Sequence, residues 1–229
     1  MRKKVSKRYK KLFEESKMNK TEVIDDVIKK VKKNCTTKFD ESIDISCMLN
    51  LKHKKEEIIL RTLVNLPNGN GKKIRIAVFC EEGKIKEAKD SGAEIAGFDT
   101  LAKDITDGKI NFDKLIATPA VMPKMGKLGK ILGPKGLMPN PKLGTVTNDI
   151  KKTVKMLKEG QVEIKNDKDG NVGLSIGKKN FDDKKIIENF NALIQTIQKE
   201  KPNGIKGDFI LSSFLTSSMG ISHKIKLKV

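Results

Sequence analysis

Between Thr118 and Thr147 the chain reads TPAVMPKMGKLGKILGPKGLMPNPKLGTVT, its densest run of residues suited to one chemistry. Lys124, Lys127, Lys130, Lys135 and Lys142 recur there with no acidic residue among them. Five of the seven prolines share the stretch, fixing φ and biasing each preceding residue away from helix. Ammonium groups spaced along a stiffened backbone suit a polyanion, because each can meet a phosphate. The plainer alternative is a solvated connector. Ile131, Leu132, Leu137 and Met138 give the stretch something to pack with, so the expectation is a shaped, cationic, partly anchored loop. Gly133-Pro134-Lys135-Gly136 has the GxxG spacing of a KH nucleotide clamp, but a KH loop needs a helix on each side and proline-rich sequence flanks this one. No GxxxxGK[ST] run occurs, which argues against a P-loop.

Such a loop must be carried by folded elements, and composition bounds what they can be. A chain of 229 residues suits one large domain or two small ones. Lys+Arg 48 against Asp+Glu 29 gives a formal charge of +19, a field that attracts nucleic acid or an anionic surface. Aromatic content of 4% with no Trp argues against base-stacking folds such as the RRM or OB fold. No apolar run approaches a membrane span, and the lysine-rich start lacks the apolar core of a signal peptide. Cys35, Cys47 and Cys80 are too scattered for a zinc knuckle, and His53 and His223 are the only histidines. The expectation is a reducing cytoplasm, no metal and no cofactor.

Periodicity places the elements. Residues 1–11 form a basic arm with seven cationic side chains. A helix is expected over Thr21 to Lys33, then a half-buried strand over Ser42 to Leu49 and a second over Ile58 to Leu66. After Asn68-Gly69-Asn70-Gly71, a turn whose glycines suggest a hinge, Ile74 to Cys80 reads as a parallel strand covered on both faces. Helices near Lys84 to Ser91 and Thr100 to Asp107 alternate with strands near Glu94 to Phe98 and Asp113 to Ala117. That order is βαβαβ, a small doubly wound module without the GxGxxG of a dinucleotide site. A helix over Asp149 to Lys158 follows. Asp169-Gly170 predicts a hairpin joining Gln161–Lys165 to Asn171–Ile176. A long helix opens at Asp182, and strands are expected over Asp208 to Leu215 and Ser222 to Lys228.

Several segments carry a resemblance. LGKILGPKGLMPNPKLGTVT closely resembles the signature of the ribosomal protein L-one family, bacterial type. SKRYKKLFE at Ser6, KFDESIDI at Lys38, LPNGNGK at Leu66, GQVEIKNDKDG at Gly160 and KGDFILSSFLTSSMG at Lys206 are similar to other family motifs. Ser218-Met219-Gly220 stands where the family usually has Thr-Met-Gly, and Asn68 where many members have histidine.

The resemblance implies an α/β protein of two domains. Residues 1–67 plus 160–229 would form a discontinuous α+β rRNA-binding domain, and residues 68–159 an inserted Rossmann-like βαβαβ domain. It implies a structural constituent of the large ribosomal subunit, binding large-subunit rRNA at the mobile side stalk. It further implies help in releasing deacylated tRNA from the exit site and repression of translation of the protein's own messenger RNA. The family's contacts map to Lys38, Phe39, Ser42, Lys165, Asp167, Ser212, Thr216, Ser218, Met219 and Gly220. Lys130, Lys135 and Lys142 are expected as secondary basic contacts. The protein would be a monomer when free, cytoplasmic, on the ribosome, with no membrane partner and no catalysis. The rival is an enzyme binding a phosphorylated ligand on the central α/β module. No histidine–acid pair or activated nucleophile is evident for it.

Overall fold

The computed structural model describes residues 6–16, 21–51, 60–202, 205 and 207–227. In chain order its elements begin with α1 (Lys7–Ser16), α2 (Ile24–Asn34), β1 (Ser42–Leu49), β2 (Arg61–Asn65), β3 (Ile76–Phe79) and α3 (Ile85–Asp90). Next are β4 (Ile95–Ala96), α4 (Asp99–Thr106), β5 (Lys114–Ala117), α5 (Met122–Met125), α6 (Gly129–Leu132) and α7 (Ile150–Glu159). The chain closes with β6 (Gln161–Lys165), β7 (Asn171–Lys178), α8 (Asp183–Lys199), β8 (Ile210–Ser217) and β9 (His223–Ile225). The first five residues of the expected arm, the start of the strand expected from Ile58, and Lys228 lie outside the described residues.

Two compact units result: Met1–Gly71 with Val162–Val229, and Lys72–Gln161. In the first, antiparallel strands pair in the order β7-β1-β8-β9, and β2 pairs with β6. Strand alternation decides what this sheet buries. Ile43, Ile45, Cys47 and Leu49 of β1 point into the core, joined by Val172 and Ile176 of β7 and Leu215 of β8. Val27, Ile28 and Val31 of α2 and Ile186, Phe190, Leu193 and Ile197 of α8 supply the apolar stripes that cover them. The alternate residues Ser42, Asp44, Ser46 and Met48 stay partly or fully exposed on the other face.

The Asp169-Gly170 turn forms but does not make the expected hairpin. Asp167 N–H donates to Asn171 O at 2.9 Å, and a single bridge joins Asn166 to Val172. Beyond that bridge β6 pairs with β2 and β7 with β1. Asn166 is the divider. It is buried, its side-chain oxygen accepts from Leu60 N–H at 2.7 Å, and its own N–H donates to Leu60 O.

The Asn68–Gly71 turn belongs to the first unit, four residues beyond the expected boundary at 67, because α8 holds it. Asn189 is fully buried; its amide donates to Gly69 O at 2.8 Å and Ile176 O at 2.7 Å, and its oxygen accepts from Asn68 N–H at 3.1 Å. A Cβ on Gly71, where φ is +74°, would press on the Phe181 ring at 3.1 Å. These bonds fix the turn where a hinge was expected to bend. Asn189→Ala is expected to strand one buried and two partly buried polar groups and destabilise this unit by about 2 kcal/mol, read as a lowered denaturant midpoint at unchanged slope.

In the second unit β4-β3-β5 form a parallel sheet. Ala77 and Phe79 face one cluster with Leu101 and Ile105 of α4, and Ile76 and Val78 face another with Ala88 of α3 and Val154 of α7. The proline–lysine stretch departs from expectation. From Pro119 to Leu132 it is a succession of short 3₁₀ and α turns, Pro119–Val121, α5, Gly126–Leu128 and α6, rather than a loop. Pro119 and Pro123 each stand in a first turn, where a missing N–H leaves no hydrogen bond unmade. Val121, Met125, Leu128 and Leu132 recur at helical spacing and bury against the sheet's cluster, which overrides the proline bias. Lys124, Lys127 and Lys130 stay exposed, as do Lys135 and Lys142 in the turns that follow.

Candidate nucleic-acid interface

The first unit gathers most of the expected contact residues where β1 begins and β8 ends. Ile43 lies opposite Ser217, and one step beyond the paired strands Ser218 N–H donates to Ser42 O at 3.1 Å. In return Ser42 N–H donates to Ser218 Oγ at 3.1 Å. The task of the Ser218 hydroxyl here is closing the strand pair. Gly220 N–H then donates to Ser217 O at 3.2 Å, completing a tight turn. A Cβ on Gly220 would stand 2.4 Å from Ser217 Oγ, so any larger residue there must displace the Ser217 hydroxyl.

The Met219 backbone is gripped on both sides while its side chain projects outward, 49% exposed. Met219 N–H donates to Glu41 Oε2 at 3.1 Å, and Met219 O accepts from Arg8 Nη2 at 2.8 Å. Glu41 is fully buried, and its other oxygen accepts from Thr37 Oγ1 at 2.8 Å and Thr37 N–H at 3.3 Å. Burial alone would raise the Glu41 pKa. The nearby Ser217 hydroxyl, together with hydrogen bonds from the Thr37 side chain and from the Met219 and Thr37 N–H groups, outweighs it and holds the carboxyl below its ordinary value. One carboxylate thus ties the loop carrying Lys38 and Phe39 to the turn carrying Met219. Arg8 adds a second tie through Thr36 Oγ1 at 3.3 Å. Phe39, which could have been core, is 54% exposed.

Thr216 and Ser212 share the outer face of β8, opposite Asp44 and Met48 of β1. Ser212 is thus on the same open sheet face as Ser42 and Thr216, four residues along the strand from Thr216. Lys165 and Asp167 are not brought to the Met219 turn. They flank the turn whose Gly170 O accepts from Leu49 N–H, at the other end of β1. Eight strand residues separate the two ends, on the order of 24 Å. Asp167 is already engaged: its carboxylate accepts from Asn171 N–H at 2.7 Å, Asp169 N–H at 3.0 Å and Asn171 Nδ2 at 3.1 Å. Those bonds, Asn171 foremost, lower its pKa and order the turn.

Lys130, Lys135 and Lys142 all lie exposed in the second unit, on α6, in the Gly133–Gly136 turn and in the Pro141–Leu143 turn. Sequence reasoning missed several neighbours of the main cluster. Ser46, Phe214 and Lys224 form a row across the open face, Ser46 opposite Phe214 and Phe214 opposite Lys224, and Ser175 lies opposite Asp44. Extending the period-2 alternation across each strand's polar positions would have found them. Arg8 and Glu41 carried no such signal, since their partners are remote in sequence.

The open face therefore offers hydroxyls, one aromatic ring and a lysine on one side of the sheet, with Phe39 and Met219 standing where β1 begins and β8 ends. Such a surface suits a ligand read by shape, hydroxyls and phosphates, as structured RNA is. Among the described residues no group of three or more His, Cys, Asp or Glu could hold a metal ion. Nor, among them, is any helix long and apolar enough to cross a membrane.

Comparison with known proteins finds relatives over nearly the whole chain. The profile of the Ribosomal protein L1p/L10e family matches residues 31–221. A protein of Pelagibacter ubique named large ribosomal subunit protein uL1 is 57% identical over 223 residues, covering 97% of each chain. Large ribosomal subunit protein uL1c of Phaeodactylum tricornutum is 46% identical, over 99% of this chain and 98% of its own. The uL1 of Coxiella burnetii is 43% identical, over 95% and 94%. By profile, identity and coverage together, this chain belongs to the Ribosomal protein L1p/L10e family.

Proposed function

We propose that this protein is a structural constituent of the large ribosomal subunit that binds large-subunit rRNA at the mobile side stalk through its first unit. The observation that carries the reading is the Ser218–Gly220 turn, locked to Ser42 and Glu41 so that Met219 and Phe39 face outward together. Rigid backbone with small residues admits close approach to sugars, while Met219 and Phe39 press on sugar and base faces. Lys165 and Asp167 contribute as a separate contact at the far end of the sheet. The second unit serves as a Rossmann-like insert that brings Lys130, Lys135 and Lys142 to RNA as secondary contacts. On this reading the protein assists release of deacylated tRNA from the exit site and represses translation of its own messenger. It does so as a monomer when free, in the cytoplasm, without catalysis or cofactor. The relatives' names, large ribosomal subunit protein, support the assignment.

The test uses a side-stalk rRNA fragment and an unrelated hairpin of equal length, titrated across a salt series. A protein joining residues 1–71 to 162–229 is expected to fold, bind the stalk fragment and keep the preference for it. If the full chain binds both RNAs equally, with parallel salt slopes, the reading is wrong. If only the joined protein loses preference while remaining folded, the assignment of recognition to the first unit is wrong.

A further inference from the structure

Helix α1, bonded to the Met219 turn through Arg8, carries two partly exposed aromatic rings stacked on each other. Tyr9 is 37% and Phe13 50% exposed, in a chain with only one tyrosine and no tryptophan. Their centroids lie 6.3 Å apart and their planes are 19° from parallel. Ser6 Oγ accepts from Tyr9 N–H at 3.3 Å and so caps the helix. Leu12, buried on the inner side, and Arg8, bonded to Met219 O and Thr36 Oγ1, fix which way the helix faces. At about 100° per residue, Tyr9 and Phe13 form the stripe next to Arg8 and Leu12. Lys10 lies on the stripe beyond it, and Lys7 and Lys11 are exposed on the remaining face.

Burying apolar surface is what ordinarily places an aromatic ring, and in α1 Leu12 is buried while Tyr9 and Phe13 keep 37% and 50% of their surface exposed. Flat rings bordered by cations match a ligand that has flat faces and negative charge together. Three classes of partner meet part of that description: RNA, an acidic protein surface and an anionic membrane. The anchor selects among them. Arg8 places the rings alongside the backbone of Met219, so an RNA seated on the proposed surface has its next nucleotides within reach of them.

We propose that Tyr9 and Phe13 form a shelf on which an unpaired base of the bound RNA stacks, with Lys7, Lys10 and Lys11 meeting the flanking phosphates. The proposal rests on the reading of the Met219 turn as an rRNA surface. Base–aromatic stacking tolerates any base, so the shelf adds affinity rather than sequence choice. It extends contact from the sheet edge onto a helix that the family signature segments did not assign to RNA.

Because Tyr9 is the sole tyrosine and tryptophan is absent, its fluorescence reports the shelf directly. Titration with the side-stalk rRNA fragment, corrected for RNA absorbance with free N-acetyltyrosinamide, is expected to quench Tyr9 emission saturably. Tyr9→Ala with Phe13→Ala is expected to weaken binding roughly tenfold or more, whereas Tyr9→Phe retains affinity to within about twofold. Thermal melts confirm folding, and Leu12 and Arg8 remain to dock the helix. Full RNA affinity in the folded double variant, with unquenched Tyr9 emission in the wild type, overturns the proposal. Loss of binding to phosphatidylglycerol vesicles at unchanged RNA affinity overturns it in favour of a membrane surface. Failure of the wild type to bind the fragment at all overturns this proposal and the rRNA reading together. Binding with preference but without quenching removes the shelf alone.

Discussion

Replacing Glu41 by alanine is expected to damage both stability and RNA binding more than removing any surface lysine. The carboxylate is fully buried and accepts from Thr37 Oγ1, Thr37 N–H and Met219 N–H. Without it two backbone N–H groups lose their acceptor in a partly buried place, at about 3 kcal/mol in total. The tie between the Phe39 loop and the Met219 turn disappears as well. Affinity for the stalk fragment should then fall by more than the fraction unfolded explains, because the contact residues are no longer held in one arrangement. Glu41→Gln keeps the volume but turns a donor toward one of the three donors, so it should recover packing and only part of the binding.

The Glu41 pKa also sets a pH window. Its folded value is lowered, so the carboxylate contributes stability that is present above the unfolded value, near 4.5, and lost as pH falls through the lower folded value. Acid unfolding of the wild type should therefore show a component below about pH 4.5 that Glu41→Ala lacks. Equal acid dependence in the two proteins would mean that the carboxylate does not hold the loops.

The second large effect is expected at Met219 and Gly220, and the structure changes how it must be tested. Met219→Ala removes an exposed side chain that RNA would bury, worth about 2 kcal/mol or roughly 30-fold in cognate affinity. It carries no charge, so the salt slope should stay the same while preference over an unrelated hairpin falls. Gly220→Ala cannot be read so simply, because its Cβ would stand 2.4 Å from Ser217 Oγ, inside the protein. That overlap alone should destabilise the turn by about 1–3 kcal/mol. Combining Ser217→Ala with Gly220→Ala deletes the clashing oxygen but also the hydroxyl beside Glu41, so it should restore only part of the stability. If RNA itself needs a bare backbone at Gly220, the double variant stays folded yet binds poorly. Wild-type affinity in that double variant would assign the glycine to folding alone. An unchanged cognate preference in Met219→Ala would show that this turn does not read RNA.

The elements themselves were largely legible in the chain. Ile43, Ile45, Cys47 and Leu49 alternate as a half-buried strand must, and β1 has the expected bounds, Ser42–Leu49. The apolar stripe from Ile186 to Ile197 made α8 evident, and an unbroken apolar run made β3 a strand buried on both faces. These patterns are local, so a window of ten or so residues contains them. The proline–lysine stretch was misread because a local bias against helix was outweighed by a second local pattern, the spacing of Val121, Met125, Leu128 and Leu132, which matters only once a sheet exists to bury it.

Family membership, most of the strands and longer helices, and the basic character of the chain were thus determined by the sequence alone, whereas α1 formed where a basic arm was expected. Tertiary structure alone decided which expected contacts share a surface. Ser42 and Ser218 are 176 residues apart in sequence, yet their backbones bond directly, whereas Lys165 and Asp167 are closer to Ser218 in sequence and lie at the other end of the sheet. Tertiary structure also converted Asn68–Gly71 from a free turn into one pinned by Asn189, and β6 from a hairpin arm into a partner of β2. The physical reason is common to all of these. A buried polar group such as Glu41, Asn166 or Asn189 must find its hydrogen-bond partners, and strand pairing places those partners with no regard for distance along the chain.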